Sequence, residues 1–359
     1  MRILLTGSTG FIGKNLLAHL EYVPQIQVFA ATRNTSVEEL KNELQKSDLI
    51  IHLAGESRSR EDGDAFVNNV RYTEQLIKLA DKHKRIIFSS TNKQNHPAYW
   101  QSKQKEEQLI RNHFLNYTIV RMDNVFGKWA KPFYNSVVAT FLKGVIEAKP
   151  FKLFDELNPI DFLYIDDVIK QFIDLIMMPT TSSVLTWNGT YQMNAKQLLE
   201  TIQSIHQDYI QGQYLQFKDP FKQRLALTYL TYLTPEKLTI PTREHPDERG
   251  NFIEISKGDL YGQTSINLIQ PGFQKGNHFH HQRWEKFMIL SGEGTIKLRQ
   301  KFESKPLTFA SKDLSLKMLT IPPGYVHQIE NNGKEKILVW MWSSLVYDPA
   351  KPDTYSEKV

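Results

Sequence analysis

The chain of 359 residues contains no cysteine. Disulfides and thiolate metal sites are thereby excluded, and any bound metal must be held by imidazole and carboxylate groups. No apolar run is long enough to span a bilayer, so no membrane insertion is expected. The N-terminal stretch, MRILLTGS, enters a glycine turn after a short apolar run and lacks the long apolar core of a secretory leader. The cytoplasm is the expected compartment. There is no polybasic run, no internal repeat and no low-complexity tract. The formal net charge of +5 is spread along the chain, which suits anionic nucleotides better than nucleic acid, whose binders carry a clustered basic face. The length allows two domains, each with its own core.

What is present begins with Ile3–Leu5, a short buried strand running into Thr6-Gly7-Ser8-Thr9-Gly10-Phe11-Ile12-Gly13. Phe11, Ile12, Leu16, Leu17 and Leu20 then form one apolar stripe, the mark of an amphipathic helix. Strand, glycine turn and helix are the context of a phosphate-binding loop: glycines admit the pyrophosphate, and the helix N-terminus favours negative charge. The spacing Gly7-x2-Gly10-x2-Gly13 resembles the short-chain dehydrogenase/reductase superfamily in its extended, nucleotide-sugar form. The next strand, Gln27–Ala31, ends in Thr32-Arg33-Asn34, with no acid for a ribose 2′-hydroxyl and an arginine suited to a 2′-phosphate. NADPH is therefore the expected cofactor. The segment DLIIHLAG, Asp48–Gly55, resembles the strand under the adenine side of the cofactor, and Phe66–Leu76, with Asn69 and Thr73, the helix after it.

Arg85–Phe88 reads as a buried strand ending at Ser89-Ser90-Thr91, and Tyr99 follows with Lys103 one helical turn beyond. Residues i and i+4 share a helix face. A phenol titrates near ~10 and is a poor proton donor or acceptor at neutral pH unless a cation stabilises its phenolate. Lys103 supplies that cation, and Thr91, with Ser90 as the alternative, a hydroxyl for the substrate oxygen. Tyr214–Lys218 and Tyr347–Lys351 repeat the spacing but follow no strand ending in Ser or Thr. IVRMDNVFG, Ile119–Gly127, resembles the start of the family's substrate pocket, with Arg121 and Asn124 as candidate contacts. Ile160–Val168 reads as a strand leading into a helix, with Asp166 and Asp167 as N-caps. Asn194 and Gln197 form a variant capping box opening a helix over Ala195–Ile205. Residues 206–240 read as helical and partly buried, a candidate subunit contact.

Thr234–Arg249 carries Pro235, Pro241 and Pro246 among polar residues, the composition of a linker. The expected domains are 1–243 and 244–359. In the second, His278 and His280 alternate along a strand and leave one face. Glu285 follows, then Phe287–Leu290 and Ser291-Gly292; downstream, Pro322 and Gly324 make a turn before His327. Three imidazoles and one carboxylate can close a site for a divalent metal. The spacing Gly272-x5-His278-x-His280-x4-Glu285-x6-Gly292, then Pro322-x-Gly324-x2-His327-x3-Asn331, resembles both halves of the cupin signature. Lys275-Gly276-Asn277-His278 also matches the place where cupin-type epimerases carry a basic residue and a catalytic histidine. His278 could thus be base or ligand; Glu285 and His327 favour ligand. Ile337–Trp342 reads as a closing barrel strand.

The expected fold is a Rossmann-type, doubly wound parallel α/β sheet of the extended reductase kind, joined to an all-β cupin, a jelly-roll barrel. The pairing resembles the bifunctional capsular-polysaccharide enzymes of N-acetyl-L-fucosamine synthesis. That resemblance implies a UDP-linked 2-acetamido-2,6-dideoxy-4-hexulose as substrate, C3 epimerisation by the cupin, then C4 reduction to the L-talose sugar. It also implies a homodimer. Gly7, Thr9, Gly10, Phe11, Ile12, Gly13, Arg33, Leu53, Ala54, Gly55, Asn69, Tyr99 and Lys103 would hold the cofactor. Thr91, Tyr99 and Lys103 would be catalytic. His278, His280, Glu285 and His327 would hold the metal, expected to be zinc.

Overall fold

The computed structural model describes residues 1–58, 64–92, 96–150, 153, 157–178, 181–314 and 317–359. The chain divides into two compact units, Met1–His206 with Phe217–Leu233, and Gln207–Gln216 with Thr234–Val359. In the first, strands β1 (Arg2–Thr6), β2 (Gln27–Ala31), β3 (Leu49–His52), β4 (Arg85–Thr91) and β5 (Asn116–Met122) alternate with helices α1 (Phe11–Leu20), α2 (Val37–Lys46), α3 (Asp64–Leu79) and α4 (Pro97–His113). Then come β6 (Asn124–Phe126), α5 (Val137–Glu147), β7 (Pro159–Tyr164), α6 (Ile165–Met177), β8 (Ser183–Trp187), β9 (Tyr191–Asn194), α7 (Ala195–Ile210) and α8 (Pro220–Leu230).

Among the described residues the main sheet is parallel, in the order β2-β1-β3-β4-β5-β8. Helices cover both faces of such a sheet, which is why Ile3–Leu5, Leu49–Ile51 and Ile86–Phe88 are continuous apolar runs and fully buried. The strand order reverses at β1, and the crevice beyond the carboxyl ends of β1 and β3 is where such sheets take ligands. The capping box forms in both directions: Asn194 N–H donates to Gln197 Oε1 at 3.2 Å, and Gln197 N–H to Asn194 Oδ1 at 2.9 Å. Asp166 and Asp167, expected as N-caps, lie instead in the first turn of α6, whose N-cap is Tyr164. They pair there with Lys128 and Arg224. Acids in a first turn favour the helix dipole as a cap would.

The second unit contains β10 (Arg243–Asp247), β11 (Gly250–Gly258), β12 (Gly262–Ile269), β13 (Gln274–Phe279), β14 (Glu285–Ser291), β15 (Gly294–Gln300), β16 (Leu307–Ala310), β17 (Leu319–Ile321), β18 (Tyr325–Asn331), β19 (Ile337–Ser343) and β20 (Tyr355–Ser356). They form two antiparallel sheets, β10-β11-β12-β19-β14-β17 and β16-β15-β18-β13-β20. Between them lies a core that includes Phe287, Ile296, Ile329, Ile337 and Val339, the jelly-roll plan expected. One reading needs correction. Residues 243–247, read as linker, are the exposed edge strand β10; Pro246 is tolerated because an edge leaves one side unpaired. The run Ile337–Trp342 is the barrel strand expected, β19, lying between β12 and β14. No helix among the described residues is long and apolar enough to cross a membrane.

Candidate active sites

Each unit contains a deep cavity. In the first it has a volume of about 600 Å³ and lies at the carboxyl ends of the parallel strands. The glycine loop forms one wall. Gly7 has φ +72°, and a Cβ there would lie 2.6 Å from Leu53 C and Ala54 N. A Cβ on Gly13 would lie 2.1 Å from Gly7 O, so the loop packs against its own helix and against β3 only because both are glycine. Helix α1 opens at Gly10 without a side-chain cap, leaving its positive end to the cavity. Such a cradle fits a dinucleotide pyrophosphate.

Of the residues expected to bind cofactor, Gly7, Thr9, Gly10, Phe11, Ile12, Gly13, Leu53 and Gly55 line this cavity, together with Thr91, Tyr99, Lys103 and Asn124. Ala54 is tied behind it, its N–H donating to Thr6 Oγ1 at 3.3 Å. Asn69 supports rather than lines: its carboxamide accepts from Glu56 N–H at 2.7 Å and donates to Glu56 O at 2.9 Å, fixing the turn after Gly55. Arg33 is exposed and pairs with Glu56 at 2.6 Å.

Tyr99 and Lys103 lie on the first turns of α4, which begins at Pro97. Burial pushes the Tyr99 phenol up, Lys103 pulls it down, and Glu106 and Tyr134 push it up again. Ser90 donates its hydroxyl to Glu107 at 2.6 Å. Arg121, expected to contact substrate, makes a bidentate pair with the same Glu107 at 2.9 and 2.6 Å and does not line the cavity. Burial raises Glu107, but bonds from Arg121, Ser90 and Arg111 outweigh it and hold the carboxyl below its usual range. The unpaired alternative would be a buried charge, so Arg121 braces β5 against α4. Sequence reasoning passed over Lys131, Tyr134 and Asn135 on the opposite wall. They sit in an irregular segment where Trp129 and Phe133 take positive φ of 71° and 55°, and nothing periodic announces it.

His52 is fully buried under the cavity, with a pKa lowered to about 3 by burial and then by Lys103. A depressed folded pKa means that the unfolded chain binds the proton first, so this contribution to stability is present above pH ~6.5 and is lost as pH falls toward the folded value. Acidification from pH 6.5 to 4.5 is expected to destabilise the first unit by about 1.4 kcal/mol per pH unit on this account. Urea unfolding at several pH values should show that slope, flattened in a His52→Asn variant. Equal slopes would rule His52 out as the source.

The second cavity, about 490 Å³, opens inside the barrel. His278 and His327 face each other in register across β13 and β18, with ring centroids 4.6 Å apart. A bulge at Asn277, φ 58°, breaks the register between Gly276 and His278. His280 lies just beyond the end of β13, its ring 5.0 Å from that of His278. Ligand atoms of His278, His280 and His327 all lie within 4.8 Å of one another. Glu285 arrives from β14 in the facing sheet, its Oε2 3.4 Å from His280 Nε2 and 3.2 Å from His327 Nε2.

The donor set fits a metal on its own terms. His280 Nε2 and Glu285 Oε2 are buried and have no hydrogen-bond partner of good geometry, an expensive state that a cation would relieve. His280 Nδ1 is 2.5 Å from Asp353 O and His327 Nδ1 3.2 Å from Tyr325 O. A ring N–H directed at a carbonyl leaves the Nε2 lone pair free to ligate. Burial and the neighbouring rings of His327 and His280 lower the His278 pKa to about 3, keeping a neutral imidazole. Burial raises Glu285, yet the adjoining His280 and His327 rings win and hold it far below the carboxylate range. Lys275, Arg283 and Tyr347 also line the cavity.

The C-terminal segment clamps this site. Asp353 accepts from the N–H groups of His281, Gln282 and Arg283 at 3.0, 3.0 and 2.9 Å, and β20 pairs with His278 and Phe279. An Asp353→Ala substitution keeps the carbonyl that faces His280 but releases the turn behind it, and is expected to weaken zinc binding roughly 10-fold, the low end for a group that orients a ligand. Chelator competition measures it, and an unchanged midpoint would show that the clamp is irrelevant.

A nucleotide cradle beside a Tyr–Lys pair, on a doubly wound sheet, fits a nicotinamide-dependent enzyme. Residues 3–184 match the NAD dependent epimerase/dehydratase family, and residues 245–355 match the polysaccharide biosynthesis C-terminal domain. The chain belongs to the NAD dependent epimerase/dehydratase family. Over 99% of its length it is 30% identical to a UDP-2-acetamido-2,6-beta-L-arabino-hexul-4-ose reductase of Pseudomonas aeruginosa, 98% of which is covered. The crystal structure of the capsular polysaccharide assembling protein CapF from Staphylococcus aureus superposes with a TM-score of 0.89 at 33% identity, covering all of both chains. A UDP-glucuronic acid 4-epimerase of Bacillus cereus, 19% identical with a TM-score of 0.55, covers 65% of this chain and 98% of its own; it shares the fold of the first unit.

Proposed function

We propose that this chain is a bifunctional nucleotide-sugar enzyme acting on a UDP-2-acetamido-2,6-dideoxy-4-hexulose. Residues 244–359 epimerise C3 and residues 1–243 then reduce the C4 ketone, giving the UDP-2-acetamido-2,6-dideoxy-L-talose used for N-acetyl-L-fucosamine in capsule or O-antigen. The observation that carries this reading is the presence, on one chain, of two separate converged sites: Tyr99 with Lys103 below the glycine loop, and the buried His278, His280, Glu285 and His327 cluster. The full-length likeness to a UDP-4-keto-sugar reductase and to CapF supports the substrate class.

The order follows from acidity. C3 is α to the ketone, so its proton leaves to give an enolate only while the C4 carbonyl exists. His278, His280, Glu285 and His327 would hold the divalent metal, zinc by preference for imidazole and carboxylate. When bound, the metal supplies a positive charge at the developing enolate oxygen. In the first unit a reduced nicotinamide, when bound, is the source of hydride for C4. Tyr99 hands its phenolic proton to the C4 oxygen, Lys103 stabilises the phenolate that remains, and the Thr91 hydroxyl orients that oxygen. Arg33 at the end of β2 supports NADPH over NADH. The working form is a cytoplasmic homodimer.

The test is an NMR time course with the UDP-4-keto sugar in deuterated water, first without and then with NADPH. Deuterium at C3 before reduction is the expected result. Persistent protonation at C3 while NADPH is consumed would reduce the chain to a simple reductase carrying a binding barrel, the reading that its Pseudomonas relative's name alone would suggest.

A further inference from the structure

A line of buried polar groups runs beneath the first cavity. Ala54 N–H donates to Thr6 Oγ1 at 3.3 Å, and Thr6 Oγ1 is 2.7 Å from His52 Nδ1. His52 Nε2 lies 3.0 Å from Thr73 Oγ1, and Thr73 donates to Glu106 Oε2 at 2.9 Å. The other oxygen of Glu106 is 3.4 Å from Lys103 Nζ. Thr6, His52, Thr73 and Glu106 are each completely buried and Lys103 nearly so.

The direction of every bond can be assigned. Thr73 gives its one proton to Glu106, so it must accept from His52, which places the imidazole proton on Nε2. His52 Nδ1 is then an acceptor for the Thr6 hydroxyl, whose oxygen is left to accept from Ala54 N–H. The chain is consistent only with a neutral His52, which agrees with its depressed pKa. It ends on a carboxylate whose nearby cation, among the described residues, is Lys103, and Gly55, next to Ala54, would place a Cβ 3.3 Å from that same Nζ.

We propose that Glu106 is a positioning residue for the reduction: it anchors the Lys103 ammonium beneath Tyr99, and through Thr73, His52 and Thr6 it locks that anchor to the loop at Ala54 and Gly55. The inference rests on the assignment of Tyr99 and Lys103 above. A carboxylate here also tempers Lys103. The charged groups facing Tyr99 are Lys103, which favours the phenolate, and Glu106, which opposes it, with Tyr134 adding to the opposition. Those facing Glu106 are Lys103 and Glu107, with Thr73 as donor; burial raises its pKa, and Lys103 and Thr73 offset that rise only in part.

The experiment is the pH profile of NADPH-dependent reduction of the UDP-4-keto sugar by the full chain and by Glu106→Gln, Thr73→Val and Tyr99→Phe variants. Glu106→Gln is expected to lower kcat roughly 10- to 100-fold, as a small misplacement of a reacting group does. The KM for NADPH should stay within about twofold, and the alkaline limb should move about one unit toward acid as Lys103 acts unopposed. A profile superimposable on the parent's, or a change confined to KM, overturns the proposal. Should Glu106→Gln fail to fold, Thr73→Val decides: a lower kcat with the acid limb displaced upward supports it, and an unshifted profile overturns it. An active Tyr99→Phe enzyme would instead remove the acid assignment itself. A silent Tyr99→Phe beside an unshifted Glu106→Gln sinks this inference alone.

Discussion

Replacing Tyr99 by phenylalanine is expected to cut NADPH-dependent reduction about 10³-fold while C3 exchange proceeds at the parent rate. General acid catalysis is worth roughly 10²–10⁴-fold, and among the described residues no other phenol shares a helix face with a buried lysine at the cavity wall. The substitution removes one oxygen and keeps the ring, whose centroid lies 5.6 Å from that of Phe66, so the fold should stand. Burial keeps the Tyr99 phenol protonated at neutral pH, against the pull of Lys103. A protonated phenol is the form a ketone reduction needs, so the parent rate should hold through neutrality and fall on the alkaline side as the phenol ionises. Stopped-flow oxidation of NADPH measures the loss, and deuterium uptake at C3 serves as the internal control. Loss of both activities together would mean that the two sites are not independent.

The other large effect is expected at Glu285. A Glu285→Gln substitution keeps the volume and removes the charge that His280 and His327 converge on. Without the carboxylate, three imidazoles remain, a cluster that should lose metal on dialysis. C3 exchange is expected to fall about 10³-fold, several kcal/mol of lost enolate stabilisation. Reduction of a substrate already epimerised at C3 should continue. A second readout is thermal: added zinc is expected to raise the melting temperature of the parent by binding only the folded state, and to leave the variant unmoved. Stoichiometric zinc in dialysed Glu285→Gln protein, by elemental analysis, would show that the carboxylate is not a ligand.

Some of this protein was settled within short stretches of chain. The glycine loop, the capping box at Asn194 and Gln197 and the His278-x-His280 alternation depend on residues a few positions apart, whose geometry the helix or strand period dictates. The apolar runs of β1, β3 and β4 likewise announce a parallel sheet covered on both faces. Local composition misled where a lone strand partner decided the outcome: the proline-bearing residues 243–247 became a strand only because β11 pairs with them. Tertiary structure alone decided the rest. It brings Glu285 across from one sheet to histidines on the other, and Asp353 across some seventy positions to His280. It turns Arg121 inward to Glu107 instead of toward substrate, and it threads His52 and Thr73 to Glu106 beneath Lys103. Spacing says nothing about such partners, because a buried charge or imidazole takes whichever group the packing places within reach.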